Sequence, residues 1–283
     1  MRPGLWIGLA GTVALTATVR PALCEILAQA LPVKYNLTVA SGQPLSRDIA
    51  IRNLGSSAVV VHVRLSDWVM NEAGELDLVA AGTTAASLQG HVLFEPTEFS
   101  LGPGESGVVH LTMRLPPDGP STRWGVLLSE VRPAVWPKVS LGPRAIAELG
   151  TTIYLSRIPA EYTRAELTGM ELRAAGDTSF AVTLRVRNPG ERHLYSTGEI
   201  AVTDSAGTKV ATGQLGTGVV LPRAFRNFTW TCTSRVTPGR YLVTASLDTG
   251  EPDLIIGETV LTWPLPAPVR APVAQQDESS PPR

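Results

Sequence analysis

Cysteine is nearly missing from this chain: Cys24 and Cys232 are the only two among 283 residues. That excludes a disulfide-stapled scaffold, and with no CxxC pair it excludes a thiolate zinc site. Histidine is scarce too, and His62, His91, His110 and His193 show neither the i, i+4 spacing of a metal pair nor an HExxH motif. Charge of one sign is not in excess, because 24 basic and 25 acidic residues leave a formal net charge of −1. No basic stripe therefore marks a nucleic-acid partner. No Gly-x-Ser-x-Gly elbow is present, and Gly102-Pro103-Gly104 is neither a P-loop nor a dinucleotide fingerprint. Glu95, Glu98 and Asp67 are carboxylates on or near strands, but nothing in their spacing selects a glycosidase pair. The chain reads as a non-enzyme that needs no cofactor, no metal and no small-molecule substrate.

Long apolar runs are missing as well, except at the start. Arg2 supplies a short positive end, and Leu5 to Val19 is apolar and uncharged. A bilayer-spanning helix needs ~20 such residues, so the run is short for an anchor. Ala28-Gln29-Ala30 fits a small-x-small cleavage pattern, with Ala22-Leu23-Cys24 as a second place to cut. Residues 1–30 are expected to be a cleaved export signal, which puts the mature protein in the periplasm or otherwise outside the cytoplasm. Cut after Ala30, the chain keeps Cys232 alone, on the same face as Phe228 and Trp230, as a buried thiol.

Glycine and proline are plentiful, at 26 and 23, so turns must be many and long helices few. Between the turns the apolar residues alternate. Val109, Leu111, Met113 and Leu115 point one way, while Val108, His110, Thr112 and Arg114 point the other. A period of two is a strand with one buried face and one wet face. Pro116, Pro117 and Pro120 break that strand, and another starts at Trp124. Val59, Val61, Val63 and Leu65 repeat the pattern, with His62 and Arg64 outward.

The pattern is written twice. Ile49 to Asn53-Leu54-Gly55 recurs as Leu184 to Asn188-Pro189-Gly190, each a strand running into an Asn-x-Gly turn. Glycine there is expected to supply a positive φ. Later turns and strands follow in the same order. The fold class is therefore all-β: two tandem immunoglobulin-like β-sandwich domains over residues 33–158 and 160–264, joined by the short hinge Ile158-Pro159-Ala160. Residues 265–283 are rich in Pro and Ala without periodicity and read as a disordered tail.

In that order of elements the chain resembles the PapD-like periplasmic pilus-assembly chaperones. The likeness runs through Val39-Ala40-Ser41-Gly42, Asp48 to Asn53, Phe94-Glu95-Pro96, Leu101 to Gly104 and Gly150 to Pro159, and domain 2 follows only in strand order. It implies a chaperone that lends the last strand of domain 1 to a secreted or pilus subunit, with alternate side chains filling the subunit's groove. Ala145, Ala147, Leu149 and Ile153 fall at the donor positions, smaller than the bulky residues the family implies. Basic residues that anchor a subunit carboxylate in the cleft would align with Leu37 and Tyr154, neither of them basic, leaving Arg144 and Arg157 as substitutes. Two other readings stand beside it. One is a structural or adhesive module of a cell-surface assembly, with the cell envelope as partner. The other is a carbohydrate-binding sandwich, which an exposed Trp136 would favour; Trp68, Trp124 and Trp230 sit at core-type positions.

Overall fold

The computed structural model describes residues 26–135, 145–158, 165–176, 178–250 and 253–265, and none of these is helical. The first sandwich contains β1 (Ala28–Leu31), β2 (Lys34–Ala40), β3 (Leu45–Asn53), β4 (Val59–Met70), β5 (Leu76–Ala80), β6 (Val92–Glu95), β7 (Glu98–Leu101), β8 (Ser106–Met113), β9 (Thr122–Pro133) and β10 (Ala147–Ile158). The second contains β11 (Glu166–Ala174), β12 (Phe180–Arg187), β13 (Leu194–Thr203), β14 (Lys209–Gln214), β15 (Gly218–Val220), β16 (Phe225–Cys232), β17 (Gly239–Asp248) and β18 (Ile255–Trp263).

Each sandwich is two sheets around one apolar core. In the first, β1-β3-β8-β6 faces β2-β10-β9-β4-β5, with β7 alongside β4. In the second, β11-β12-β16 faces β14-β13-β17-β18, with β15 on the start of β13. The alternation in β8 lands as its period requires: Val109, Leu111, Met113 and the following Leu115 are sealed in the core, and Val108, His110, Thr112 and Arg114 are wet. Cys232 is wholly buried in the second core, and burial pushes its thiol pKa up. No group of His, Cys, Asp or Glu among the described residues is placed to hold a metal ion.

The repeated Asn-x-Gly motif does the same job in both domains, though not by the expected means. Gly55 and Gly190 are not among the glycines with positive φ. Instead each donates its N–H to the Oδ1 of the asparagine two residues earlier, Asn53 at 3.0 Å and Asn188 at 2.9 Å. Asn53 Nδ2 then donates to the carbonyls of Ser57 and Gly102, and Asn188 Nδ2 to those of Arg192 and Val220. Both asparagines are fully buried, so the amide clamps two loop segments together where water cannot compete.

One strand of the first sandwich precedes residue 33. Ala28–Leu31 pairs antiparallel with Ala50–Asn53, and Ala30 is buried in the core of the first sandwich. The chain then crosses to the opposite sheet, where β2 runs parallel to β10.

Candidate functional site

β10 carries the sequence-based candidates, and two hydrogen bonds fix which way its backbone faces. Arg157 N–H donates to the Ser121 carbonyl on the β9 side, while Thr152 N–H donates to the Val33 carbonyl on the other. Backbone groups alternate sides along a strand. Even-numbered residues therefore present N–H and C=O toward β2, and odd-numbered ones toward β9. β2 covers that even edge from Thr152 to Ile158. Upstream of Thr152 no described strand pairs with it, so the backbone groups of Glu148 and Gly150 open onto an unpaired edge. Such an edge is a ready template for another chain.

The side chains sort by the same parity. Ala147 and Leu149 are half-buried against the first core, and Ala145 is exposed just before the strand. Ile153 points the same way but is wholly buried, with Tyr35 of β2 beside it. The unpaired edge of β10 therefore ends at Thr151. Arg144 lies outside the described residues, as does Trp136.

Leu37 does not reach the cleft. It pairs with Leu155 and packs into the first core. The face of β2 toward the second domain carries Lys34, Asn36 and Thr38, because an odd offset of three residues turns a strand over. Lys34 lies beside Thr152, and its ammonium sits 4.1 Å from the centre of the Tyr195 ring. The pattern of Lys34 to Ala40, with Tyr35, Leu37 and Val39 apolar between polar neighbours, held that signal. Arg157 lies on the face opposite Tyr154. Its guanidinium donates to the carbonyls of Pro116 at 2.8 Å and Gly119 at 3.4 Å, tying down the proline-rich loop.

Tyr154 lies at the contact between the domains. It stacks on His193 with ring centres 4.2 Å apart and meets Trp68 and Tyr195 edge-on. Trp124, Val126 and Leu128 from β9 extend this patch, and Leu221, Val219 and Ala224 of the second domain cover it. Sequence reasoning missed His193 and Tyr195, since nothing local marks a residue that packs across a domain boundary. Burial drives the His193 pKa down to about 4, with Arg192 and Lys34 adding repulsion, so the imidazole is neutral. Its Nδ1 has no hydrogen-bond partner. Burial, with Tyr195 alongside, pushes the Tyr154 phenol well up.

Polar ties flank the aromatic contact. Arg185 donates to both carboxylate oxygens of Glu72, at 2.7 and 2.9 Å, and holds that carboxyl below its usual range. Asn227 N–H donates to the Glu72 carbonyl at 2.7 Å. Ser121 donates to Glu191 at 2.8 Å. The cleft thus has a locked floor, with Lys34 at the point where the open edge of β10 ends.

The chain is similar to fimbrial chaperones. A chain of the chaperone–tip adhesin complex of CFA/I fimbriae matches 82% of this chain and 98% of its own, at 12% identity and a TM-score of 0.47. The chaperone-tip adhesion subunit complex CsuC–CsuE from archaic Csu pili of Acinetobacter baumannii matches 82% and 97%, at 12% identity and 0.44. The E. coli chaperone DraB matches 82% and 96%, at 12% identity and 0.42. No family model and no curated protein matches the chain.

Proposed function

We propose that this protein is a non-enzymatic, chaperone-like binder of secreted or pilus subunits that acts outside the cytoplasm by β-strand addition. The observation that carries the reading is the unpaired β10 edge from Ala147 to Thr151, which stops where β2 begins. Because β2 is parallel to β10, a guest strand added upstream in the same sense points its C-terminus at Lys34. Main-chain hydrogen bonds to Glu148 and Gly150 then supply affinity, and the lysine ammonium receives the terminal carboxylate. One lysine here takes the place of the paired basic residues that the family resemblance implies at Leu37 and Tyr154.

A seven-residue peptide of alternating valine and threonine, with a free C-terminus, is the probe. It should bind the mature protein at least ~10-fold more tightly than its amidated twin, a charge-assisted hydrogen bond being worth about that factor. Lys34→Gln should erase the difference between the two peptides. Gly150→Pro, which removes an edge donor without touching a ladder bond, should weaken both. Peptide binding indifferent to Gly150→Pro would exclude strand addition and leave the structural, cell-surface reading in its place. The folded first sandwich uses β1, so removal of an export signal is expected to leave the mature N-terminus upstream of Ile26. Intact-mass analysis of the exported protein reads it directly, and a terminus at Leu31 would contradict it.

A further inference from the structure

On the far side of the aromatic patch the two domains enclose a second crevice of about 320 Å³. Ala85, Ala86, Pro120, Trp124 and Pro222 form its walls, and Ser121, Glu191 and Arg223 stand at its rim. A mostly apolar crevice at a domain boundary, with a few convergent polar groups, is the usual form of a binding site. Two features set it apart from a packing gap. Arg223, with φ of 58°, is the one non-glycine residue with positive φ among those described. Such strain persists where the surroundings impose it and collects at functional positions. The electrostatics are also lopsided. Arg223 donates to Glu191 at 2.9 Å yet keeps 71% of its side chain exposed. Behind the Gly119 wall stand Arg157, which donates to the Gly119 carbonyl, and Arg123, whose NH2 would lie 3.3 Å from a Cβ at that glycine. Arg123 also has a buried Nε without a partner. Arg123 is turned onto the carbonyls of Ala85 and Ser87, while Arg223 and, at longer range, Arg157 place two positive charges against the single carboxylate of Glu191.

We infer that this crevice is a peptide-binding site separate from the β10 edge, taking an apolar side chain in its Ala85–Trp124–Pro222 walls and an adjacent carboxylate on Arg223. The crevice supplies shape for the apolar group, and the surplus positive charge selects an acidic neighbour over a basic one. Nothing in this assignment depends on strand addition, since no residue is shared with the Ala147–Thr151 edge.

The test uses the mature full chain and an acetylated, amidated Gly-Leu-Glu-Gly peptide, followed by the Trp124 indole resonance in NMR titrations. A saturable shift is expected. Replacing the peptide's Glu with Gln, or its Leu with Ala, should each weaken binding by ~10-fold. Arg223→Gly removes the guanidinium and relieves the backbone, so it should keep the fold and lose the preference for Glu over Gln. Ala85→Trp, at an exposed wall position, should fill the crevice and abolish the shift. No saturable shift at millimolar peptide, equal affinity for the Gln peptide, or binding that survives Ala85→Trp would each overturn the site.

Discussion

The two halves of β10 share one strand and one core-facing register, yet they are built for opposite ends. From Thr152 to Ile158 the strand is hydrogen-bonded on both edges, Ile153 and Leu155 are sealed in the first core, and Tyr154 is sealed between the domains. From Ala147 to Thr151 only the β9 edge is paired among the described residues, Ala147 and Leu149 are half-buried with burial complete only at Thr151, and Gly150 leaves the outward face bare. Availability for binding is therefore set by the neighbouring strand. Where β2 begins, β10 becomes structure; where β2 has not yet begun, β10 is an unfilled edge.

Placing the same charge in each half tests that contrast most severely. Ile153→Asp buries a carboxylate among aliphatic side chains with no partner, and should cost on the order of 4 kcal/mol or more, enough to unfold a marginal domain. Leu149→Asp sits at the half-buried margin, where the carboxylate reaches water, and should cost ~1–2 kcal/mol. Urea denaturation of the two variants compares them directly. Equal losses would mean that the upstream half is held in the core no less firmly than the downstream half.

Acid offers the next largest effect, and it acts on the downstream half alone. His193, stacked on Tyr154, has its pKa depressed to about 4 from an ordinary 6.5. The neutral ring is the one the interface accepts, so the stabilisation is complete above pH 6.5 and is lost as pH falls through 4. A depression of that size corresponds to roughly 3 kcal/mol. Thermal denaturation followed by the fluorescence of Trp68 and Trp124 should show the interface loosening between those pH values, and His193→Phe should flatten the profile. The groups around the ring are Tyr154 on β10, Tyr195 on β13, Arg192 beside it and Lys34 on β2. Two of those are cations, which repel the charged imidazole and add to the cost of protonating it. A profile unchanged in the variant would remove His193 as the cause.

Much of the scaffold beneath this contrast could be read without coordinates. The alternation in β4 and β8 located the core because a period of two leaves no choice of face, and the repeated Asn-x-Gly motif marked two domains built alike. The cleft was less legible. Carrying a family position across at low similarity put the first-strand basic site on Leu37, whereas the polar face of β2 is Lys34, Asn36 and Thr38. An error of one odd step moves a residue from cleft to core, so register has to be argued from the strand's own alternation. His193 and Tyr195 were beyond reach for a different reason: they meet Tyr154 across a domain boundary, and no local pattern encodes that contact. β1 was hidden by its composition, since small residues that suit signal cleavage also suit a tight strand pairing.

The slightest change is expected from the substitution that asks whether the upstream half is as idle as its open edge implies. Glu148 accepts Arg64 at 2.6 Å across the outer face of the sheet, with side-chain exposures of 38% and 45%. An exposed pair of this kind contributes ~0.5 kcal/mol or less, because solvent and salt screen it and two long side chains must be ordered. Glu148→Gln should therefore leave the urea midpoint nearly unchanged, and raising the salt should erase what difference remains. The same substitution keeps the backbone N–H and C=O on the open edge, so binding of the alternating peptide should survive it. A large loss of stability would show that the ion pair holds the end of β10 in place. The contrast between the halves would then rest on a side-chain clamp rather than on where β2 begins.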